Sequence, residues 1–468
     1  MKHRPKDFHV RIRGSAHRAP IELISGEHFS LNPAKISDCL SLPLSAAEQD
    51  LVRVGMAIYA IDRSVRRSPA ANDRSAGREL DLEIPVSNPD LWNSQVEALS
   101  GILSFLGEDV WRFHFVEGCF DRLPGGYLFE HVPNVSRVCL YSAGLDSMAG
   151  LGIRLAETQE QYFAVTARHR SSLPPPLNAQ FCRFAKSYGP RIFKLMIPTT
   201  LVHAERMDQQ ELSQRCRAFL FCGLAGAVAS RLGVAEVEIF ENGVGALNLP
   251  PMNGMLWGGR ATRGCHPHFL RLMSSIVSAV ADRPTTFVLP FKNRTKGEMV
   301  CELARLGLGD MLNNAISCVH YPRRVTGSAK QCGICPACIG SRHAAIVAGL
   351  DLPSQRFEHD ILDPKIDDLP MDLLANLRQH VLQAADLHEL QADGSRPQIL
   401  RRHLVSSRAL TNRDTAEFWT QLLGRYRDEW KKVAMIARDR GCRWPQWLNG
   451  CDEIAQLSRK GGFHERVA

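Results

Sequence analysis

Apolar and polar positions alternate with a period of two over residues 8–13 and again over 79–86, and 111–116 reads as a closing strand. That spacing puts every second side chain on one face and predicts half-buried strands. Between the first two, residues 51–61 are a long apolar run that predicts a buried helix, followed by a basic stretch from Arg63 to Arg67. Asn88-Pro89-Asp90 supplies a capping residue and a proline suited to a first helical position, and the spacing predicts one helix over 91–106. Residues 1–130 therefore read as a small α+β domain.

From residue 131 to about 350 the pattern changes to strand, loop and helix in turn. Short apolar segments of strand length occupy 135–141, 161–165, 191–197 and 235–240, and helical spacing lies over 179–187 and 217–232. This alternation predicts a parallel sheet covered by helices on both faces. The Ser-Ser-Leu-Pro-Pro-Pro segment at 171–176 reads as a rigid surface loop. Residues 351–468 read as a helical region, where Trp419, Trp430, Trp444 and Trp447 interleave with Arg425, Arg427, Lys431, Lys432 and Arg438. The tryptophans suit core anchors and the cations a solvated helix face; a nucleic-acid or partner-docking face is the alternative.

Composition narrows the class. With 468 residues, 44% of them hydrophobic, the chain can bury full cores in two or three domains. A net charge of +8 suits phosphate-bearing ligands but is modest for a compact nucleic-acid binder. No signal-like N-terminal run occurs, nor any uncharged apolar stretch of about 18 residues, so a cytoplasmic protein without a membrane span is expected. Fourteen cysteines in a chain this long do not form a disulfide scaffold in a reducing compartment, and Cys139, Cys216 and Cys222 sit in apolar runs as small core residues.

Two motifs carry chemistry. In the first, the apolar segment ending at Tyr141 runs into Ser142-Ala143-Gly144-Leu145-Asp146-Ser147, and a helical pattern follows. A small-residue turn at a helix start exposes consecutive N–H groups as an anion site, and Ser142 and Ser147 add hydroxyl donors. Asp146 beside an anion calls for a bridging Mg²⁺. Without a Gly-Lys-Ser/Thr ending, the turn is not a Walker loop. In the second motif, Cys318 is followed by Cys332-Gly-Ile-Cys335-Pro-Ala-Cys338. Paired Cys-x-x-Cys steps bite one ion from tight turns, and four thiolates fill a tetrahedral Zn²⁺ shell with no open position. An iron–sulfur cluster or clustered free thiols are the alternatives. The site would pin the loop from residue 321 to 330.

The first motif resembles the PP-loop pattern Ser-Gly-Gly-x-Asp-Ser of enzymes that cleave ATP to AMP and pyrophosphate, with Ala143 replacing the first glycine. Alanine would be strained there if the position needs a positive φ. Together with the cysteine cluster, Arg168-His169, Thr295-Lys296-Gly-Glu298 and Arg342, the region 135–349 resembles the 7-cyano-7-deazaguanine synthase (QueC) family. The resemblance implies an adenine nucleotide alpha hydrolase-like fold in which ATP, with Mg²⁺, adenylates 7-carboxy-7-deazaguanine before an amine attacks. Arg215-Cys-Arg217, Glu241-Asn242-Gly243, Asn248-Leu-Pro-Pro251 and Thr262-Arg-Gly-Cys-His266-Pro267 look more like the QueC-like proteins of anti-phage operons of the Qat and CBASS types. In that subgroup the implied acceptor is an amine of a partner protein rather than ammonia.

The resemblance implies ATP contacts from Ser142 to Ser147 and from Arg168, with Asp146 and Lys296 catalytic. Lys296 would neutralise charge on the adenylate phosphate; otherwise it is a solvated helix-start lysine. Arg215 and Arg217 fork onto oxyanions or form an exposed pair. Glu241 and Asn242 serve a guanine-like base or form a turn. His266 and His268 orient substrate or are structural, and Cys265 has no His/Asp set to activate it. Three further functions remain: nitrile synthesis from ammonia, a nucleic-acid-binding module with a degenerate loop, and tRNA thiolation with an iron–sulfur cluster.

Overall fold

The computed structural model describes residues 9–14, 21–24, 29–30, 33–65, 77–118, 134–168, 174–201, 211, 214–249, 263–319, 323–325, 328–350, 352, 356–392, 397–411 and 414–448. The chain divides into two compact units, Met1–Asn248 with Trp257–Lys292, and Leu249–Leu256 with Asn293–Ala468. The boundary at Lys292 falls inside the segment 131–350, so the four-cysteine loop goes with the C-terminal helices.

The first unit opens with strands β1 (His9–Gly14), β2 (Ile21–Ile24) and β3 (Phe29–Ser30) and helix α1 (Pro33–Leu40). Helix α2 (Ala46–Ser64) starts at a reciprocal cap: Ser45 Oγ accepts from Glu48 N at 3.2 Å, and the Glu48 carboxylate accepts from Ser45 N at 2.7 Å. Strand β4 (Glu79–Val86) follows, with every second residue buried as its alternation predicts. The helix expected over 91–106 is instead two, α3 (Pro89–Ser94) and α4 (Val96–Gly107), broken at Gln95. Ser94 Oγ donates to Leu91 O at 2.7 Å, a local bond that competes with the helical ladder. Strand β5 (Val110–Glu117) completes a sheet of order β2-β1-β4-β5, in which β4 and β5 are parallel.

A second sheet begins with β6 (Arg137–Leu140), α5 (Leu145–Glu157), β7 (Tyr162–Arg168), α6 (Pro174–Tyr188) and β8 (Ile192–Pro198). Strand β9 (Thr200–Leu201), which pairs with β3, precedes α7 (Arg217–Leu232), β10 (Glu236–Ile239), α8 (Gly243–Leu247), α9 (Pro267–Ala281) and β11 (Thr286–Val288). Its five strands run parallel in the order β11-β10-β6-β7-β8. The expected loop at 171–176 is corrected in part: Pro174, Pro175 and Pro176 open α6, where missing N–H groups cost nothing, and 171–173 lie outside the described residues. Strand β11 was not expected because three residues are too few to show a period.

Helices α2 and α7 pack through glycines: a Cβ on Gly223 would lie 3.1 Å from Leu51 O, and one on Gly55 3.2 Å from Leu220 Cα. Both sheets consequently share one buried core, which takes in Cys216 and Cys222. Arg78, at the start of β4, bridges Asp62 at 2.6 Å and Asp109 at 2.7 Å, and Asp62 also accepts from Cys216 N at 3.0 Å. All three ionic side chains are buried, so each depends on the others for solvation.

The second unit contains α10 (Lys296–Arg305), the hairpin β12 (Arg323–Val325) and β13 (Ser328–Lys330), α11 (Pro336–Val347), α12 (Met371–Ala392), α13 (Pro397–Ser406) and α14 (Ala416–Asp439). Trp419, Trp430 and Trp444 are fully buried, whereas Arg425, Lys431, Lys432 and Arg438 are exposed, the arrangement of core anchors with a cationic outer face. Arg425 is engaged by Glu298 at 2.7 Å and Lys432 by Val347 O at 2.9 Å. Among the described residues, no helix is long and apolar enough to cross a membrane.

Arg78→Leu removes the shared cation and leaves two buried carboxylates uncompensated. The expected loss is about 3–5 kcal/mol of unfolding free energy, read from the denaturation midpoint.

Candidate functional site

From β6 the chain builds β7 and β8 on one side, then crosses to place β10 and β11 on the other. The carboxyl ends of β6 and β10 therefore flank the topological switch point, where open α/β sheets leave a crevice for ligands. The Ser142–Ser147 turn leaves β6 at this point. Ser142 is exposed, and the Ser142 and Ser147 hydroxyls lie 2.8 Å apart. Gly144 N donates to Ser142 Oγ and Ser142 N to Ser147 Oγ, each at 3.3 Å, so hydroxyls and amides bracket the same bend. Helix α5 starts at Leu145, and its N-cap, Gly144, brings no capping side chain.

Ala143 has φ +57°, the left-handed conformation that the sequence comparison flagged. That conformation costs an L-residue about 1–2 kcal/mol. Buried polar contacts hold it: Gln180 Nε2 donates to Ala143 O at 3.1 Å, Tyr141 Oη donates to Gln180 Oε1 at 2.5 Å, and Thr166 Oγ1 donates to Tyr141 O at 2.8 Å. The sequence reading missed this bracing trio, whose one signal was polar side chains within apolar segments.

Across the crevice, Asn242 Nδ2 donates to Asp146 Oδ1 at 3.0 Å and to Glu241 Oε1 at 2.7 Å. Asn242 Oδ1 meanwhile caps α8 by accepting from Gly245 N at 2.9 Å, so the amide is fixed at both ends. A Cβ on Gly245 would sit 2.3 Å from Glu241 Oε1, and one on Gly150 2.4 Å from Phe240 Cβ; both glycines permit this close approach. Asp146, Glu241 and Asn242 are thus brought together, with the two carboxylates half exposed and the amide buried between. Burial, then the Glu241 and Asp146 carboxylates, push the half-buried Cys265 thiol well above its usual range. It stays a thiol and is a poor nucleophile.

Other expected residues take other places. Arg217 acts electrostatically on Cys265 from the same side, with its guanidinium 5.5 Å from the Phe221 ring. Arg215 donates to Gly107 O at 2.8 Å, tying down the C-terminus of α4. His266 is the N-cap of α9, accepts from His268 N at 3.1 Å and packs 5.2 Å from the Phe105 ring. Burial lowers its pKa to about 3, helped by His268, Arg263 and Arg271, so it is a neutral structural cap. Arg168 ends β7, but its side chain lies outside the described residues, as do His169, Pro250, Pro251 and Thr262.

In the second unit, Lys296 opens α10 behind a cap in which Thr295 Oγ1 accepts from Glu298 N at 3.0 Å and Glu298 accepts from Thr295 N at 2.9 Å. The Thr-Lys-x-Glu segment is therefore a helix start.

Cys318, Cys332, Cys335 and Cys338 are buried with their sulfurs all within 4.8 Å of one another. Tetrahedral zinc with Zn–S of about 2.3 Å places sulfurs about 3.8 Å apart; Cys332 and Cys338 stand at 3.9 Å. Cys332 N and Cys335 N donate to the sulfurs of Cys318 and Cys332 at 3.3 Å each, the second-layer bonds that favour thiolates. Hydrogen bonds from the other three thiols draw Cys318 far below its usual range while the same crowding drives Cys338 far above. The cluster can hold a metal ion such as zinc, and four thiolates leave it no open position.

The surrounding loop is built to hold this shape. Gly333 has φ +81°, and a Cβ there would lie 1.7 Å from His359 O. Gln331 Oε1 accepts from Cys318 N at 3.2 Å, Pro336 begins α11 behind Cys335, and Arg342 pairs with buried Asp360 through two 2.9 Å bonds. The span from 321 to 330 contains the β12–β13 hairpin.

Three outcomes follow. Ala143→Gly relieves left-handed strain but loses a buried methyl worth about 0.8 kcal/mol and frees the unfolded chain, so stability should shift by less than about 1 kcal/mol. Ala143→Val, β-branched at the same φ, should cost more than about 2 kcal/mol; calorimetry of both variants checks this. Cys335→Ser should lower zinc stoichiometry by elemental analysis and the melting temperature by at least about 5 °C together. No known family model matches the chain, and no curated protein matches it either.

Proposed function

We propose that the protein is an ATP-dependent, AMP-forming ligase. It adenylates a 7-deazaguanine carboxylic acid, 7-carboxy-7-deazaguanine, and passes the acyl group to an amine of a partner protein in anti-phage defence. The observation that carries this reading is the Asp146–Asn242–Glu241 bridge across the β6/β10 switch point, directly beside a small-residue turn at a helix start. The PP-loop and QueC-like motifs of the sequence support the identity of the acid.

In this reading the amides and hydroxyls of Ser142 to Ser147 hold the polyphosphate, as helix N-termini do for anions. Asp146 supplies a half-exposed carboxylate next to them. A magnesium ion would neutralise phosphate charge, and Asp146 is the residue that would hold it. The substrate carboxylate attacks the α-phosphorus, pyrophosphate leaves, and the acid's oxygen becomes part of an adenylate leaving group. The amine then forms the amide bond as AMP departs and the amine loses its proton. Backbone donors fixed before reaction lower these barriers by electrostatics and positioning. Glu241, anchored by Asn242, offers an acceptor for N–H groups of a guanine-like base. Lys296, to which the resemblance gives the neutralising of adenylate charge, belongs to the second unit. A fully ligated zinc site contributes structure rather than chemistry.

Asp146→Asn keeps the size of the side chain and removes its charge. AMP and pyrophosphate release should fall at least about a hundredfold with the circular dichroism spectrum unchanged. Mass spectrometry of enzyme, ATP and acid with either ammonium or the partner protein then fixes the acceptor. Partner mass increased by the acyl group supports the proposal, whereas a nitrile from ammonium with unmodified partner replaces it with nitrile synthesis.

A further inference from the structure

In the second unit, four helices bring together Lys296, His343 and His380. Lys296 on α10 points toward α11, where its Nζ would be 3.8 Å from a Cβ built on Gly340; glycine there leaves room beside the ammonium. His343, on the same helix as Gly340, is buried, and its Nε2 has no hydrogen-bond partner. Its ring lies 4.5 Å from Trp430 and 5.7 Å from Tyr426. His380 on α12 lies 6.0 Å from Trp430, with Nδ1 3.1 Å from the Tyr426 hydroxyl. Lys296 and His380 each retain part of their surface. The result is a cluster of aromatic rings around a buried imidazole nitrogen lacking its bond, with the half-buried Lys296 and His380 beside it.

Electrostatics favours one kind of occupant. Burial, then His380 and Lys296, lower the His343 pKa to about 3, and burial, then Lys296, lowers that of His380 to about 4. Both imidazoles are therefore neutral beside the lysine. On α14, Tyr426 is raised by burial, and Glu429, which accepts from Thr295 Oγ1, is raised by burial to about 7. Glu429, the acid that acts on Tyr426, is thus only partly ionised at neutral pH. A buried nitrogen without a partner costs about 1–3 kcal/mol, and an oxyanion would supply that partner while opposing the lysine's field.

We propose that Lys296, His343 and His380 form an oxyanion-binding recess, in which Lys296 neutralises the bound group and the unpartnered His343 Nε2 hydrogen-bonds it. Its chemistry fits a phosphate or a carboxylate. The inference rests on the ligase reading only for the source of that group, a nucleotide's phosphate or the acid's carboxylate. Binding restores charge balance at the imidazoles, so both should take up protons more readily when the recess is filled.

The test uses the full chain with labelled histidine, titrated with inorganic phosphate and, separately, with acetate. His343→Gln and His380→Gln assign the two ring signals. Saturable shifts of both, with upward movement of their pKa values, are expected, and Lys296→Met should weaken binding at least about tenfold. A response to phosphate alone assigns a phosphate source, and a response to acetate alone a carboxylate source. Unmoved histidine signals with either ion, or full affinity in Lys296→Met, would overturn the recess. A chain that releases no AMP yet shows both shifts would sink the ligase reading and leave the recess standing.

Discussion

The first unit turns on a backbone bend that an L-residue adopts reluctantly. Ala143 at φ +57° sends the chain from β6 into α5 within a few residues, with the serine hydroxyls gathered around the same bend. The strain of about 1–2 kcal/mol is of the same order as a net hydrogen bond of about 1 kcal/mol plus the burial of one methyl. Gln180 supplies that bond at Ala143 O, and the methyl is fully buried. Alanine is tolerated where the related pattern has glycine because the neighbours Tyr141, Thr166 and Gln180 fix the carbonyl from behind.

The two units solve stability differently. The first joins two sheets through α2 and α7 at glycine contacts and through a buried Arg78 with two aspartates. Its core runs continuously across both sheets. In the second, the segment from Cys318 to Cys338 carries the β12–β13 hairpin and the start of α11, and gathers four sulfurs into one buried cluster. Gly333 shapes that site through its left-handed backbone, and Gln331 through its side-chain oxygen on Cys318 N.

Much of this was legible in the residues. Period-two alternation located β4, the reading of a closing strand located β5, the strand–loop–helix rhythm located four of the five parallel strands, and cysteine spacing foretold the cluster. Contacts between distant segments were not legible. Nothing local to Asn242 shows that its amide will meet Asp146 beyond the next strand, and nothing local to Arg215 or His266 shows that one will bond the last carbonyl of α4 and the other cap α9. Residue type and motif position made those two candidate ligands, and neither shows the contacts with Gly107 and Phe105. The helix break at Gln95 arose from a serine bonding its own turn, a choice that helical periodicity cannot register.

The central claim is that the turn from Ser142 to Ser147 grips a nucleotide's polyphosphate. A crystal structure with Mg²⁺ and a non-hydrolysable ATP analogue tests it most directly. Phosphate oxygens should lie about 2.7–3.1 Å from amides and hydroxyls of that turn, with Asp146 on the metal. Nucleotide bound elsewhere, or a turn that stays closed to it at millimolar concentration, would contradict the account.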